Sequence, residues 1–253
     1  MRAIRLVNMF RNVKNWEEYL WYKMTGKRSD TFTFHLRNDF SITVPRRILP
    51  EFKESVFEEA YFKYLPASIL STDHPTVLDI GANVGFFATL ALLKLKNPRV
   101  ISFEPIKRNF AELQRNTAGI ESGAFTPVNK AVSNVRGEIV LKFDSNQAIT
   151  TSASIFDNSL GSDEERVAST TLEDIFREYT LTQVDILKLD CEGAEYGILY
   201  DTPTALFEKI RCITMETHAG TKSTENNDAL AGYLKTLGYT VVTKSGSFIW
   251  AYK

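Results

Sequence analysis

The stretch TVLDIGANVGFF, Thr76 to Phe87, constrains the fold of this 253-residue chain more than any other. A short apolar strand runs into two glycines four apart, Gly81 and Gly85, and then into a continuous apolar segment. Glycine permits both a tight reversal and close packing of helix on strand, so the pattern predicts strand, turn and helix. It recurs downstream. Strands are predicted at 76–80, 99–103, 125–128, 138–143, 184–189 and 211–216, and helices at 84–95, 106–117, 171–179, 193–200 and 226–237. Short apolar strands alternating with amphipathic helices predict an α/β fold with a mostly parallel sheet covered on both faces. YTVVTKSGSFIWAYK, residues 239–253, adds an antiparallel hairpin about Lys244-Ser245-Gly246.

Residues 1–75 predict an N-terminal arm on a main domain spanning 76–253. Residues 1–30 are amphipathic and helical, with Trp16, Tyr19, Leu20 and Trp21 among Arg and Lys. They read as a helix packed on the main domain; a peripheral membrane contact or a partner surface is the alternative. TFTFHLRNDFSITV alternates on either side of Asn38-Asp39, as a β-hairpin does. Residues 51–65 have helical spacing, with Phe52, Val56, Phe57 and Tyr61 on the buried side. The polar stretch Ser145–Ser162 reads as a surface loop or a lid.

With 30 basic and 31 acidic side chains, net charge −1, the chain lacks the basic excess of a protein that tracks a phosphate backbone. Nucleic acid is therefore excluded as the expected substrate. Cys191 and Cys212 are too few for a disulfide framework or a thiolate zinc site, which fits a reducing compartment. The N-terminus lacks the apolar core of a signal peptide, and Val84–Leu93 is too short to span a bilayer. A cytoplasmic protein is expected; oligomeric state is left open.

Ligands of doubly wound sheets bind beyond the carboxyl ends of the strands, beside the first strand–helix turn. A dinucleotide fingerprint needs a further glycine where the backbone nears a pyrophosphate, and here Asn83 stands there. Asp79 would also repel a diphosphate. S-adenosylmethionine (SAM) has the opposite requirements, since it carries no phosphate and its sulfonium and ammonium are cationic. Glu104, in VISFEP at the end of the next strand, is placed to accept both ribose hydroxyls. Asp79, Gly81, Asn83 and Gly85 are therefore expected around the methionine end, Glu104 at the ribose, and Pro105, Ile106 and Ala131 at the adenine. Two rivals remain: an NAD-dependent oxidoreductase on a similar sheet, and a non-catalytic SAM-binding scaffold.

VLDIGANVGFF, FEPIKRNFAELQRN, NKAVSN, VDILKLDCEGAEYGIL and ITMETH together resemble the FkbM family of SAM-dependent methyltransferases, over roughly residues 57–253. The most specific signature is Lys188, Asp190, Glu192, Gly193 and Glu195; Cys191 and Met215 stand where aliphatic residues are commoner. The resemblance implies a class I methyltransferase fold, Rossmann-like, with a seven-stranded sheet. It also implies a SAM cofactor and O-methylation of a hydroxyl on a saccharide, glycolipid or natural-product acceptor.

Alternation places Lys188 and Asp190 on one face at a strand end, and Glu216 with His218 at the end of the neighbouring strand. His218 is the first candidate for general base and Asp190 the second, with Lys188 stabilising an alkoxide or holding Asp190 charged. Glu192 lies in the turn between, and Glu195 opens the following helix. A buried Lys188–Glu195 ion pair is the structural alternative. Asp190, Glu216 and His218, with Glu192 beside them, are also a donor set for a divalent metal such as Mg²⁺, Mn²⁺ or Ca²⁺.

Overall fold

The structure is a computed structural model of the chain and describes residues 2–26, 29–121, 123–143 and 163–253. The loop or lid expected at 145–162 lies outside the described residues. The arm opens with two helices, α1 (Arg2–Asn12) and α2 (Trp16–Thr25). The hairpin forms as expected: β1 (Thr31–His35) pairs antiparallel with β2 (Ser41–Pro45), and Asp39 takes a left-handed conformation at the reversal.

The helix expected at 51–65 is broken instead. Helix α3 (Leu49–Phe52) passes into a π-helical turn at Lys53–Phe57, a 3-10 turn at Ala60–Phe62 and the short α4 (Ala67–Leu70). Glu59, at φ 51°, cannot continue a right-handed helix. The expected burial nevertheless holds, with Phe52, Val56, Phe57 and Tyr61 all inside. Phe34 stacks on Phe52 with ring centroids 4.3 Å apart, and this aromatic core continues into Val84 and Phe86 beyond the glycine turn.

The main domain adds β3 (Thr76–Ile80), α5 (Phe86–Lys94), β4 (Arg99–Phe103), α6 (Lys107–Asn116), β5 (Phe125–Val128), β6 (Ala131–Val132), β7 (Gly137–Phe143) and β8 (Asp163–Thr170). Then come α7 (Leu172–Glu178), β9 (Ile186–Leu189), α8 (Glu195–Tyr200), β10 (Cys212–Glu216), α9 (Asn227–Thr236), β11 (Thr240–Ser245) and β12 (Phe248–Tyr252). Seven strands lie in the order β11-β12-β10-β9-β3-β4-β5, parallel except for β12, which runs antiparallel between β10 and β11. Apolar clusters cover both faces of this sheet. Helix α5 is buried almost all round, which explains its unbroken apolar sequence. Thr171 caps α7 by accepting from the Asp174 amide, and Asn226 caps α9 by accepting from Ala229.

The strand expected at 138–143 does not join the main sheet. As β7 it pairs antiparallel with β8, a strand absent from the sequence reading, and β8 pairs with β6 in a separate three-stranded sheet. The charged segment Asp163–Arg166 hides β8 from a search for apolar runs. Positive φ at Glu192 and Gly193 also delays α8 to Glu195, two residues beyond the expected start.

Two buried bonds fix the arm to the last strands. Trp250 Nε1 donates to the Ala60 carbonyl at 2.9 Å, and Thr214 Oγ1 to the Tyr61 carbonyl at 2.8 Å. Because the arm's aromatic core runs into the main domain, Phe52→Ala is expected to cost about 3–5 kcal/mol. Chemical unfolding followed by tryptophan fluorescence and by circular dichroism should show one shared midpoint, moved to lower denaturant; separate transitions for arm and sheet would refute the coupling.

Candidate active site

Beyond the carboxyl ends of β3 and β4 lies a pocket lined by Gly81, Asn83, Glu104, Pro105, Ile106 and Ala131 among others. Glu104 is its most deeply buried carboxyl. One carboxylate oxygen accepts from the Asn83 amide (2.8 Å) and the other from Ile106 (2.9 Å). Burial nevertheless raises its pKa to about 8, with Asp79 adding to the rise and Lys188 opposing it. Further wall residues were not expected at the site from sequence: Phe103, Asn109 and Val132, with Ile139 and Leu141 from the small sheet. Only the apolar alternation of β7 hinted at the last two.

Asp79 and Gly85 lie behind this pocket rather than on its wall. Asp79 is fully buried, receives a hydrogen bond from Ser102 (2.9 Å) and pairs with Lys188 (3.2 Å). Gly85 caps α5, and a Cβ there would come within 2.7 Å of Leu113 Cδ1. Gly81 matters for a different contact: at φ 76°, its Cβ would stand 1.8 Å from the Asp190 carbonyl oxygen. Only glycine lets the turn after β3 pass the turn after β9 this closely.

Lys188 sits at that crossing, 2% exposed. Its ammonium donates to the carbonyls of Gly81 (2.6 Å) and Ile80 (3.3 Å) and faces Asp190 at 3.8 Å. Burial opposes its charge, but Asp79 and Asp190 override that effect and raise its pKa, so it stays protonated. The Lys188–Glu195 pair considered from sequence does not form. Glu195, fully buried, instead accepts from the Cys191 and Gly193 amides and binds His218 Nδ1 at 3.1 Å.

A second pocket shares Gly81, Asn83, Asp190 and Glu192 with the first and adds Lys188, Glu216 and His218. All five residues expected to carry chemistry thus meet in one cavity. The arm supplies its other wall through Glu51, Glu54, Ser55 and Tyr61. Tyr61 donates to Asp190 Oδ2 at 2.7 Å, and the Lys188 ammonium lies 5.3 Å from the centre of its ring. Nothing in the local sequence around Tyr61 announces a partner 129 positions away.

Carboxylates crowd this cavity. Burial lifts Glu54 to about 7, helped by Glu216, and lifts Glu192 to about 7 against the pull of His218. Glu216 is raised by burial and by Asp190. Burial alone would lower His218, yet the hydrogen bond and charge of Glu195, with Glu192 and Asp190, raise it to about 9. At neutral pH His218 is therefore an imidazolium. Asp190, Glu216 and His218 each offer a ligand atom, all within 4.8 Å of one another, and two carboxylates with an imidazole suit Mg²⁺ or Mn²⁺.

Strand order, glycine turn and pocket position define a class I, SAM-dependent methyltransferase domain. The chain belongs to the methyltransferase FkbM domain family, whose model matches residues 79–241. It is similar to the AMB antimetabolite synthetase AmbE of Pseudomonas aeruginosa, at 24% identity over 78% of this chain and 11% of that protein. It is also similar to methyltransferase sdnD of Sordaria araneosa, at 26% identity over 57% of this chain and 66% of that one. The chain thus spans about a tenth of the first relative and just under two thirds of the second. Among solved structures, a SAM-dependent methyltransferase from Agrobacterium tumefaciens aligns over 90% of this chain and 71% of its own, with TM-score 0.46 and 11% identity. TrmK of M. capricolum with S-adenosylhomocysteine aligns over 74% and 67%, with TM-score 0.41 and 10% identity.

Glu195 accounts for the state of His218, and removing its charge tests this. In Glu195→Gln the imidazole midpoint, followed by NMR, is expected to fall from about 9 toward 6.5. His218's raised pKa stabilises the fold below the unfolded value of 6.5, and that contribution is lost as pH rises through about 9. The variant should therefore lose stability mainly on the acid side; an unmoved midpoint would remove Glu195 as the cause.

Proposed function

We propose that the chain transfers a methyl group from SAM to a hydroxyl of a saccharide, glycolipid or natural-product acceptor. One observation carries this reading: the pocket around Glu104 and the acidic pocket share a wall at Gly81, Asn83, Asp190 and Glu192. A donor in the first and an acceptor in the second would meet there. The likeness to a protein named as an antimetabolite synthetase is in keeping with a small-molecule product.

In this reading Glu104 receives the ribose hydroxyls, and Pro105, Ile106 and Ala131 flank the adenine, with Ile139 and Leu141 closing the apolar side. Asn83 Oδ1, buried without a hydrogen bond in the protein, is an acceptor for a donor on the ligand. SAM supplies an electrophilic methyl on a sulfonium, so the protein's work is alignment and removal of the acceptor's proton.

Asp190 is the general base. It lies on the shared wall, and Tyr61 and Lys188 fix its orientation. Sequence reasoning put His218 first, but an imidazole held protonated by Glu195 serves as a hydrogen-bond donor to the acceptor rather than as its base. Lys188 spends its donors on the turn carbonyls and Asp79, and so acts through Asp190's charge. Glu54, Glu192 and Glu216 offer acceptors to a polyhydroxylated molecule. A divalent ion bound by Asp190 and Glu216, with His218 as third ligand once its proton is displaced, would take the place of Asp190 as base by acidifying a bound hydroxyl.

Incubating acceptor mixtures with deuteromethyl-labelled SAM, and finding the label on oxygen by mass spectrometry, tests the reaction directly. With the acceptor found, Asp190→Asn is expected to lower kcat by about 10²–10⁴-fold while SAM affinity stays within a factor of a few. A parallel loss of SAM affinity would make Asp190 a binding residue instead.

Glu104 yields a pH prediction. Hydroxyl donors favour the ionised carboxylate, whose pKa in the free protein is about 8. SAM binding below that pH should release a proton, and affinity should rise as pH climbs toward about 8 and then level off. Calorimetry in buffers of different ionisation heat reads the proton; Glu104→Gln should bind more weakly and show no release. Release that persists in Glu104→Gln would exonerate this carboxyl.

A further inference from the structure

The inner face of α1 is fully used. Asn8 and Asn12 donate to the carbonyls of Phe57 (3.0 Å) and Val56 (2.8 Å), Met9 and Val13 are buried, and Arg5 pairs with Glu58. The outer face is apolar. At the angular step of an α-helix, Ala3, Leu6, Val7 and Phe10 fall together, on the side away from Met9. Among the described residues seven large apolar side chains are exposed, and six of them, Ile4, Leu6, Val7, Phe10, Trp21 and Met24, belong to α1 and α2. Exposed apolar residues gathered on one helix face, as Leu6, Val7 and Phe10 are, mark a contact surface rather than scattered exposure.

Charge identifies the occupant. Residues 1–28 hold seven Lys or Arg against two Glu, net +5, in a chain of net −1, so the remaining residues carry −6. Two copies meeting through this face would bring two cationic segments together, whereas an anionic surface attracts the arm and repels the body, which orients the molecule. With 11 residues α1 cannot cross a bilayer and can only lie along its surface.

We propose that the outer face of α1 docks on an anionic lipid surface, with Leu6, Val7 and Phe10 entering the headgroup boundary and the net positive charge of residues 1–28 drawn to the headgroups. Helix α1 rests on the turn at 53–57, whose Glu54 and Ser55 wall the acidic pocket. Docking would leave about one helix diameter, ~10 Å, between lipid and that wall.

The test is co-sedimentation of the full chain with vesicles of equal parts phosphatidylcholine and phosphatidylglycerol, against vesicles of phosphatidylcholine alone. Partition into the mixed vesicles is expected to be about tenfold higher, and to fall as salt screens the headgroups. The double variant Leu6→Glu, Val7→Glu changes only exposed positions; its circular dichroism and SAM affinity should match the parent while its partition drops about tenfold. Equal partition into both vesicles, no pelleting with either, or unchanged partition in the variant would overturn the proposal. So would a concentration-dependent dimer that the variant abolishes, which assigns the face to a second copy. Vesicle binding requires no turnover, so this result and that of the methyl-transfer experiment stand or fall separately.

Discussion

A single buried ammonium holds the two active loops together. Lys188, from β9, reaches across to the carbonyls of Ile80 and Gly81 at the end of β3 and is neutralised by Asp79 beneath and Asp190 beside it. The crossing is possible because Gly81 has no Cβ to strike the Asp190 carbonyl. Taking Lys188 away would leave Asp79 charged and unpaired in a dry core, a penalty of about 3–5 kcal/mol for breaking a buried pair. The geometry of both pockets depends on this clamp, since Gly81 and Asp190 belong to each.

Above the clamp the electrostatics divide in two. In the first pocket Glu104 is held by two amides and flanked by apolar walls, with Asp190 and Glu192 on the wall shared with the second. In the second, Glu54, Asp190, Glu192 and Glu216 share one cavity with Lys188, already paired with Asp79, and with His218. Burial lifts Glu54 and Glu192 to about 7, and repulsion from the neighbouring carboxylates adds to the rise. A ligand that supplies hydrogen-bond donors or positive charge relieves that repulsion; an anionic one would add to it.

Much of this was legible in the sequence, for reasons that differ by element. The main-sheet strands showed themselves because both faces are buried, which writes them as short apolar runs. Glu104, Asp190, Glu216 and His218 followed from position at strand ends. What stayed hidden depends on distance along the chain. The π-helical turn that faces Glu54 into the pocket, and the reach of Tyr61 to Asp190, leave no local periodicity. Asp79 was expected at the methionine end, whereas the fold sets it behind the pocket with its charge spent on Lys188. Strand β8 was missed because its first half is charged and its pairing is with β7 in a satellite sheet.

The tie between Trp250 and the Ala60 carbonyl spans 190 positions. A ribosome must therefore make almost the whole chain before the segment carrying Tyr61 can lock against the sheet. Until then the pocket around Glu104, built largely from residues 80–194, can exist without the far wall of the acidic one. Contacts so distant in sequence form slowly and late, so a nascent chain would acquire the first cavity before the second is enclosed.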